Sequence, residues 1–173
     1  ITNAGNDKAI CIGSSTSIGG APTGPIGSVF SWNTSQNLSD STLANPIVNP
    51  TVFTTYVVKV TDLNGCVNHD TINININALP IANAGGPSTV ICAGDSTNIG
   101  LISIPNGNTY SWSPAIGLAV TNASITQASP ANSTTYTLTV TDVNTCQNTD
   151  TILVSVNPLP GLNGGIDKTI CLG

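Results

Sequence analysis

The sequence predicts an all-β fold, a tandem array of β-sandwich repeats. Three observations predict it. Apolar and polar residues alternate with a period of two over several stretches, as in strands with one buried face. The whole pattern recurs at a spacing of 80 residues. No stretch carries an apolar helical period, while Pro and Gly punctuate the chain throughout.

The recurrence is residue by residue. Trp32 returns as Trp112, Pro50 as Pro130, Tyr56 as Tyr136, Cys66 as Cys146 and Asp70 as Asp150, each at an offset of 80. One residue is inserted near Gly86, so Cys11 matches Cys92. Asn163, Gly165, Asp167, Lys168, Ile170, Cys171 and Gly173 match Asn3, Gly5, Asp7, Lys8, Ile10, Cys11 and Gly13 at an offset of 160. The chain therefore divides into repeat 1 (1–80), repeat 2 (81–160) and the first strand of a third repeat (161–173). Two readings of 161–173 stand: the start of a further repeat in a longer array, or a strand donated to a neighbouring molecule.

Each repeat is read as a series of short strands. Ser28–Trp32 and Thr109–Trp112 place a Trp on a central strand. Thr97–Ile102 and its counterpart near Thr16–Gly20 form another. The stretches 33–50 and 113–130, rich in Pro, Asn and Ser, hold a weak edge strand within a long loop. In 134–142, Tyr136, Leu138 and Val140 face one way and Thr137, Thr139 and Thr141 the other. In 71–77, Ile72, Ile74 and Ile76 alternate with Asn73, Asn75 and Asn77. Trp32, Trp112, Tyr56 and Tyr136 are the expected core residues. Asp62-Leu63-Asn64-Gly65 is a hairpin signal, because Asn-Gly accepts positive φ. Asp142-Val143-Asn144-Thr145 repeats it without the Gly.

Composition narrows the function. The 173 residues include 3 Lys+Arg and 8 Asp+Glu, only 6% charged, against about a quarter in ordinary domains. A net charge of −5 argues against nucleic-acid binding, which needs a basic footprint. No apolar run approaches the length of a membrane span. No leader opens the chain; a secreted protein would carry one outside these residues or have lost it.

A Trp on a central strand, a Tyr opening a late strand and two cysteines per repeat resemble the immunoglobulin plan in part. The spacing departs from antibody domains, since Tyr56 precedes Cys66 by ten residues. The motifs Asn3-Ala4-Gly5, Ile10-Cys11-Ile12-Gly13, Phe30-Ser31-Trp32, Pro50 through Thr54-Thr55-Tyr56, Val60 through Cys66, and Asp70-Thr71-Ile72 resemble the PKD-like and Ig-like repeats of large secreted Bacteroidota proteins. The resemblance spans the whole chain. It implies tandem immunoglobulin-like (PKD-like) β-sandwich domains, found in adhesins, in surface filaments and as spacers beside catalytic domains. Thr145, standing where the turn Gly is expected, leaves the type of the second turn open.

The cysteines pair most naturally within repeats, as Cys11–Cys66 and Cys92–Cys146, pinning the first strand to the last hairpin. Spacing alone does not fix connectivity, and reduced buried thiols are the alternative. A bridge closing about 55 residues would contribute roughly 4 kcal/mol in the chain-entropy model. Cys171 is unpaired, or paired beyond the fragment.

No catalytic constellation stands out. His69 is the only histidine, and it is read as an exposed residue just before a strand. No metal ligand set is expected and no cofactor. Asp62, Asp70, Asp142 and Asp150 are read as turn and strand-edge residues, with Ca2+ ligation as the lesser alternative. Thr71 and Thr151 lie in Asp-Thr-Ile triplets that resemble Bacteroidota O-glycosylation sites; Ser41 and Ser96 fit a looser form. The N-x-S/T sequons start at Asn33, Asn37, Asn122 and Asn132. Covalent glycans would supply the solubility that so few charges do not. Short Pro-containing joints at 78–80 and 158–160 suggest a semi-rigid rod of domains.

The expected function is a structural repeat segment of an extracellular fibre, filament or cell-surface stalk. It works without catalysis, through self-association or continuation into further repeats. The rivals are a carbohydrate- or partner-binding adhesin module and the spacer domains of a secreted hydrolase.

Overall fold

Strands form where alternation lets one face bury. In Thr54–Thr61, Tyr56, Val58 and Val60 are buried while Thr55 and Lys59 face solvent. A computed structural model describes residues 1–33, 37–101, 107–162 and 165. These fall into two units. Unit 1 is Ile1–Pro80 with Thr141–Gln147; unit 2 is Ile81–Val140 with the chain from Asn148 on.

The strands of repeat 1 are β1 (Lys8–Cys11), β2 (Thr16–Ser17), β3 (Val29–Trp32), β4 (Ile47–Val48), β5 (Thr54–Thr61) and β6 (Val67–Asn77). They make two sheets, one ordered β1-β6-β5-β3, the other β2-β4. The β3–β5 and β5–β6 pairs are antiparallel. The first strand runs parallel to the last, with Lys8 opposite Ile74 and Cys11 opposite Asn77. Between the sheets lie Ile18, Trp32, Val48, Tyr56, Val58, Val60, Ile72 and Ile74. This is an immunoglobulin-like sandwich: a sheet of late strands flanked by the first, over a smaller second sheet.

Repeat 2 copies it with β7 (Ser88–Cys92), β8 (Thr97–Gly100), β9 (Thr109–Ser113), β10 (Ile125–Ala128), β11 (Thr134–Thr141) and β12 (Gln147–Asn157). The sheet orders are β7-β12-β11-β9 and β10-β8. Its core contains Ile99, Trp112, Tyr136, Leu138, Val140, Ile152 and Val154. Each Trp is satisfied in place: Trp32 Nε1 donates to Leu43 O and Trp112 Nε1 to Ala123 O, both at 2.9 Å. Tyr136 donates from its hydroxyl to Ile116 O at 2.8 Å.

Several boundaries differ from expectation. The last strand starts at Val67 rather than 71, and His69 lies within it, opposite Lys59. Residues 67–69 are exposed, so they show no alternation, yet the ladder to β5 holds them. The strand expected near Thr16–Gly20 shortens to Thr16–Ser17. Gly19 ends it at φ +97, where a side chain would strike Ala44 O. Its counterpart ends at Gly100, and Ile102 lies outside the described residues.

The β5–β6 connection is a three-residue loop, Leu63–Gly65, closed by Asp62 N donating to Cys66 O at 3.0 Å. Only its last residue, Gly65, takes a positive φ, so the turn is the longer hairpin type and not a two-residue Asn-Gly turn. The second hairpin is the same turn, with Asp142 N donating to Cys146 O at 3.0 Å and Thr145 forced to φ 65. A β-branched residue there carries strain of about 1–3 kcal/mol. Thr145→Gly is therefore expected to stabilise the protein by about 1 kcal/mol, after the entropic cost of glycine. The gain should read as a higher denaturant midpoint at unchanged slope. Gly65→Thr should lower it.

Candidate functional site

Two of the cysteines end the first strands of their repeats and two follow hairpin loops. Cys11 ends β1 beside Asn77, with Ile12 N donating to Asn77 O at 2.9 Å. Cys92 ends β7 beside Asn157, with Ala93 N donating to Asn157 O at 2.8 Å. Cys66 and Cys146 follow the hairpin loops. Asp62 Oδ1 accepts from Asn64 N and Cys66 N, both at 2.9 Å. Asp142 Oδ1 does the same for Asn144 N at 2.9 Å and Cys146 N at 2.8 Å.

The disulfide among the described residues joins Cys11 to Cys146, with a Cα–Cα distance of 5.5 Å. Cys66 and Cys92 are free thiols, both exposed. The expected pairs Cys11–Cys66 and Cys92–Cys146 are thus corrected. The reason is strand direction. Because β1 runs parallel to β6, Cys11 reaches the Asn77 end of that strand, while Cys66 precedes its Val67 end. Eleven residues of extended chain separate the two positions by about 36 Å, whereas a disulfide needs Cα atoms within about 7 Å. Cys171 lies outside the described residues.

The acidic residues do structural work. Asp70 Oδ2 accepts from Ala4 N, and Asp150 Oδ2 from Ala84 N, both at 2.8 Å. Ala4 and Ala84 are fully buried. Gly19 N donates to Ala4 O at 2.8 Å, and Gly100 N to Ala84 O at 2.7 Å. The Asn-Ala-Gly and Asp-Thr-Ile motifs, 66 residues apart in each repeat, are two halves of one fastener. Sequence reasoning missed this, although the matching separation in both repeats was a signal for it. Asp62 and Asp70 lie about four ladder positions apart, roughly 13 Å, so they do not share one ion. No cluster of three or more His, Cys, Asp or Glu occurs among the described residues.

Asp7 makes a second clasp. Its Oδ1 accepts from Asn73 N at 2.8 Å, its Oδ2 from Asn73 Nδ2 at 3.0 Å. These bonds, the backbone one first, hold its carboxyl below the usual carboxylate range.

The candidate glycan acceptors are distributed over the surface. Thr71, Thr151 and Ser96 are exposed, and Ser41 is half-buried. Asn33, Asn37, Asn122 and Asn132 are exposed. Asn33 Oδ1 accepts from Val57 N at 2.9 Å, so that side chain is engaged in the sheet. Thr151 and Asp150 border a shallow depression with Ala82, Asn83, Gly86 and Pro87. Phe53 is 60% exposed beside exposed Val52, where repeat 2 has Asn132 and Ser133.

No family model and no curated protein matches the chain. Solved structures resemble it at low identity. The PKD domain from the KIAA 1837 protein is similar at 16% identity and a TM-score of 0.38, covering 44% of this chain and 84% of that one. A structure of titin Ig domains is similar at 12% identity and a TM-score of 0.42, covering 90% of this chain and 64% of that one. The insect immune protein hemolin is similar at 14% identity and a TM-score of 0.41, covering 89% and 46%. The chain thus spans less than two thirds of the titin and hemolin structures. These likenesses concern the fold alone.

Two outcomes test the clasps. Asp150→Ala leaves the buried Ala84 N–H without its charged acceptor and should cost about 1.5–3 kcal/mol of unfolding free energy, read by denaturant titration. For Asp7, the folded-state proton affinity is depressed, so its contribution is present above the ordinary carboxylate range and is lost as pH falls through the lower, folded value. The stability gap between the native protein and Asp7→Asn should therefore close on acidification, when unfolding is followed at successive pH values.

Proposed function

We propose that this chain is a structural repeat segment of an extracellular fibre, filament or cell-surface stalk, acting by holding and spacing and not by catalysis. The carrying observation is the covalent bond from the first-strand Cys11 of one repeat to the hairpin Cys146 of the next. A bond between repeats serves a protein whose job is to keep them joined. It also fits an oxidising compartment, where structural disulfides persist.

The remaining features support the same reading. The carboxylates with short bonds secure backbone amides, so they are occupied in holding the fold. With 6% charged residues, solubility would come from glycans on Thr71, Thr151 or the sequons, or from packing against neighbours. No described helix is long and apolar enough to cross a membrane. Ca2+ has at most a minor place in this reading, at Asp62, Asp70, Asp142 or Asp150.

One observation favours an adhesin module as the second reading. Phe53 and Val52 form an exposed apolar pair outside the repeat pattern, and aromatic side chains are frequent anchors of interfaces.

Electron microscopy of the native material tests the first reading. Filaments with an axial period of one or two repeats are expected; isolated monomers at high concentration would sink it. Phe53→Ala should leave such filaments intact. If it abolished adherence to surfaces while filaments persisted, the adhesin reading would gain.

A further inference from the structure

We infer that Cys66 and Cys92 are halves of two further inter-repeat disulfides, each built like Cys11–Cys146 and each completed by another copy of the same repeat. The inference goes beyond the fibre reading and does not rest on it.

Geometry removes the alternatives within a repeat. In both large sheets the first strand runs parallel to the last, placing Cys11 beside Asn77 and Cys92 beside Asn157. In both, the second cysteine directly precedes the far end of that last strand. The two cysteines of one repeat are therefore about 36 Å apart and have no route to each other in the folded state. The formed bond shows the combination that works: a first-strand cysteine with the hairpin cysteine of the following repeat.

The two free thiols are presented in the frames of their bonded counterparts. Around Cys66, Asp62 makes the same four bonds to backbone groups that Asp142 makes around Cys146. Beyond Cys92, Asp95 N donates to Cys92 O at 3.0 Å, as Ser14 N does to Cys11 O at 2.9 Å. Cys146 is buried, whereas hairpin Cys66 is exposed. Cys92 therefore takes the hairpin cysteine of a following copy, and Cys66 takes the first-strand cysteine of a preceding copy.

The chemistry balances with a small disulfide such as oxidised glutathione. One protein thiolate attacks it, forming a mixed disulfide and releasing one glutathione thiol. The second protein thiolate displaces the other glutathione. Two protein thiols lose two electrons and two protons in all, and two glutathione thiols result.

Mapping the native protein tests this. It is denatured in iodoacetamide without reductant, cleaved at its aspartates and analysed by mass spectrometry. The expected result is Cys66 linked to a cysteine in an Ile-Cys-x-Gly setting, and Cys92 linked to one in an Asp-x-Asn-x-Cys setting. A non-reducing denaturing gel then separates the two sources. A ladder of chain multiples with a Cys66–Cys92 link means second copies of this chain. A single band with links to other repeats means copies within one longer chain. Carbamidomethylated Cys66 and Cys92, same-repeat pairs, or like-with-like pairs such as Cys66–Cys66 would overturn the inference.

Discussion

The parallel pairing of the first strand with the last is the constraint on which the rest depends. It closes the large sheet of each repeat with a segment from the other end of its sequence, Lys8–Cys11 on Ile74–Asn77. A parallel neighbour requires a long connection, and here nearly the whole repeat is that connection. The same pairing sets where the chain's chemistry is displayed. A cysteine at the end of the first strand emerges at one end of the sheet and the hairpin cysteine at the other.

A strand that arrives from so far must be anchored. The Asp70 carboxylate, partly shielded by its surroundings, receives the amide of buried Ala4, and Gly19 returns a bond to Ala4 O. Ala is small enough to enter between the sheets without displacing Ile72, whose Cδ1 lies near the adjoining Gly5. Asp7 then fastens the start of β1 to Asn73, and Asn73 is tied in turn to Thr55, whose hydroxyl donates at 2.7 Å. Local polar bonds thus carry a job that charge pairs carry elsewhere, in a chain with few charges to use.

The sequence displayed the central strands clearly because their burial alternates. Tyr56, Val58 and Val60, and Tyr136, Leu138 and Val140, are the inward residues of β5 and β11. It hid the outer part of β6, because Asn68, His69 and Asp70 stand where neither face is deeply covered and hydrogen bonding alone defines the strand. It hid the Ala4 fastener because one small buried residue has no period. The cysteine connectivity was invisible for a different reason. Spacing along the chain records separation but not strand direction, and direction decides which ends meet.

The Cys11–Cys146 bond also determines how tension would travel. A pull applied before Cys11 and after Cys146 passes from one sulfur to the other, so the intervening backbone carries none of it. The sequence separation is 135 residues, which would otherwise release a contour of about 450 Å when drawn out. Both sandwiches could then lose their fold under load while the chain lengthened hardly at all between those two points. The chain's extension between those two points would then be limited by that one bond. Reducing agents would act on it as a mechanical softener.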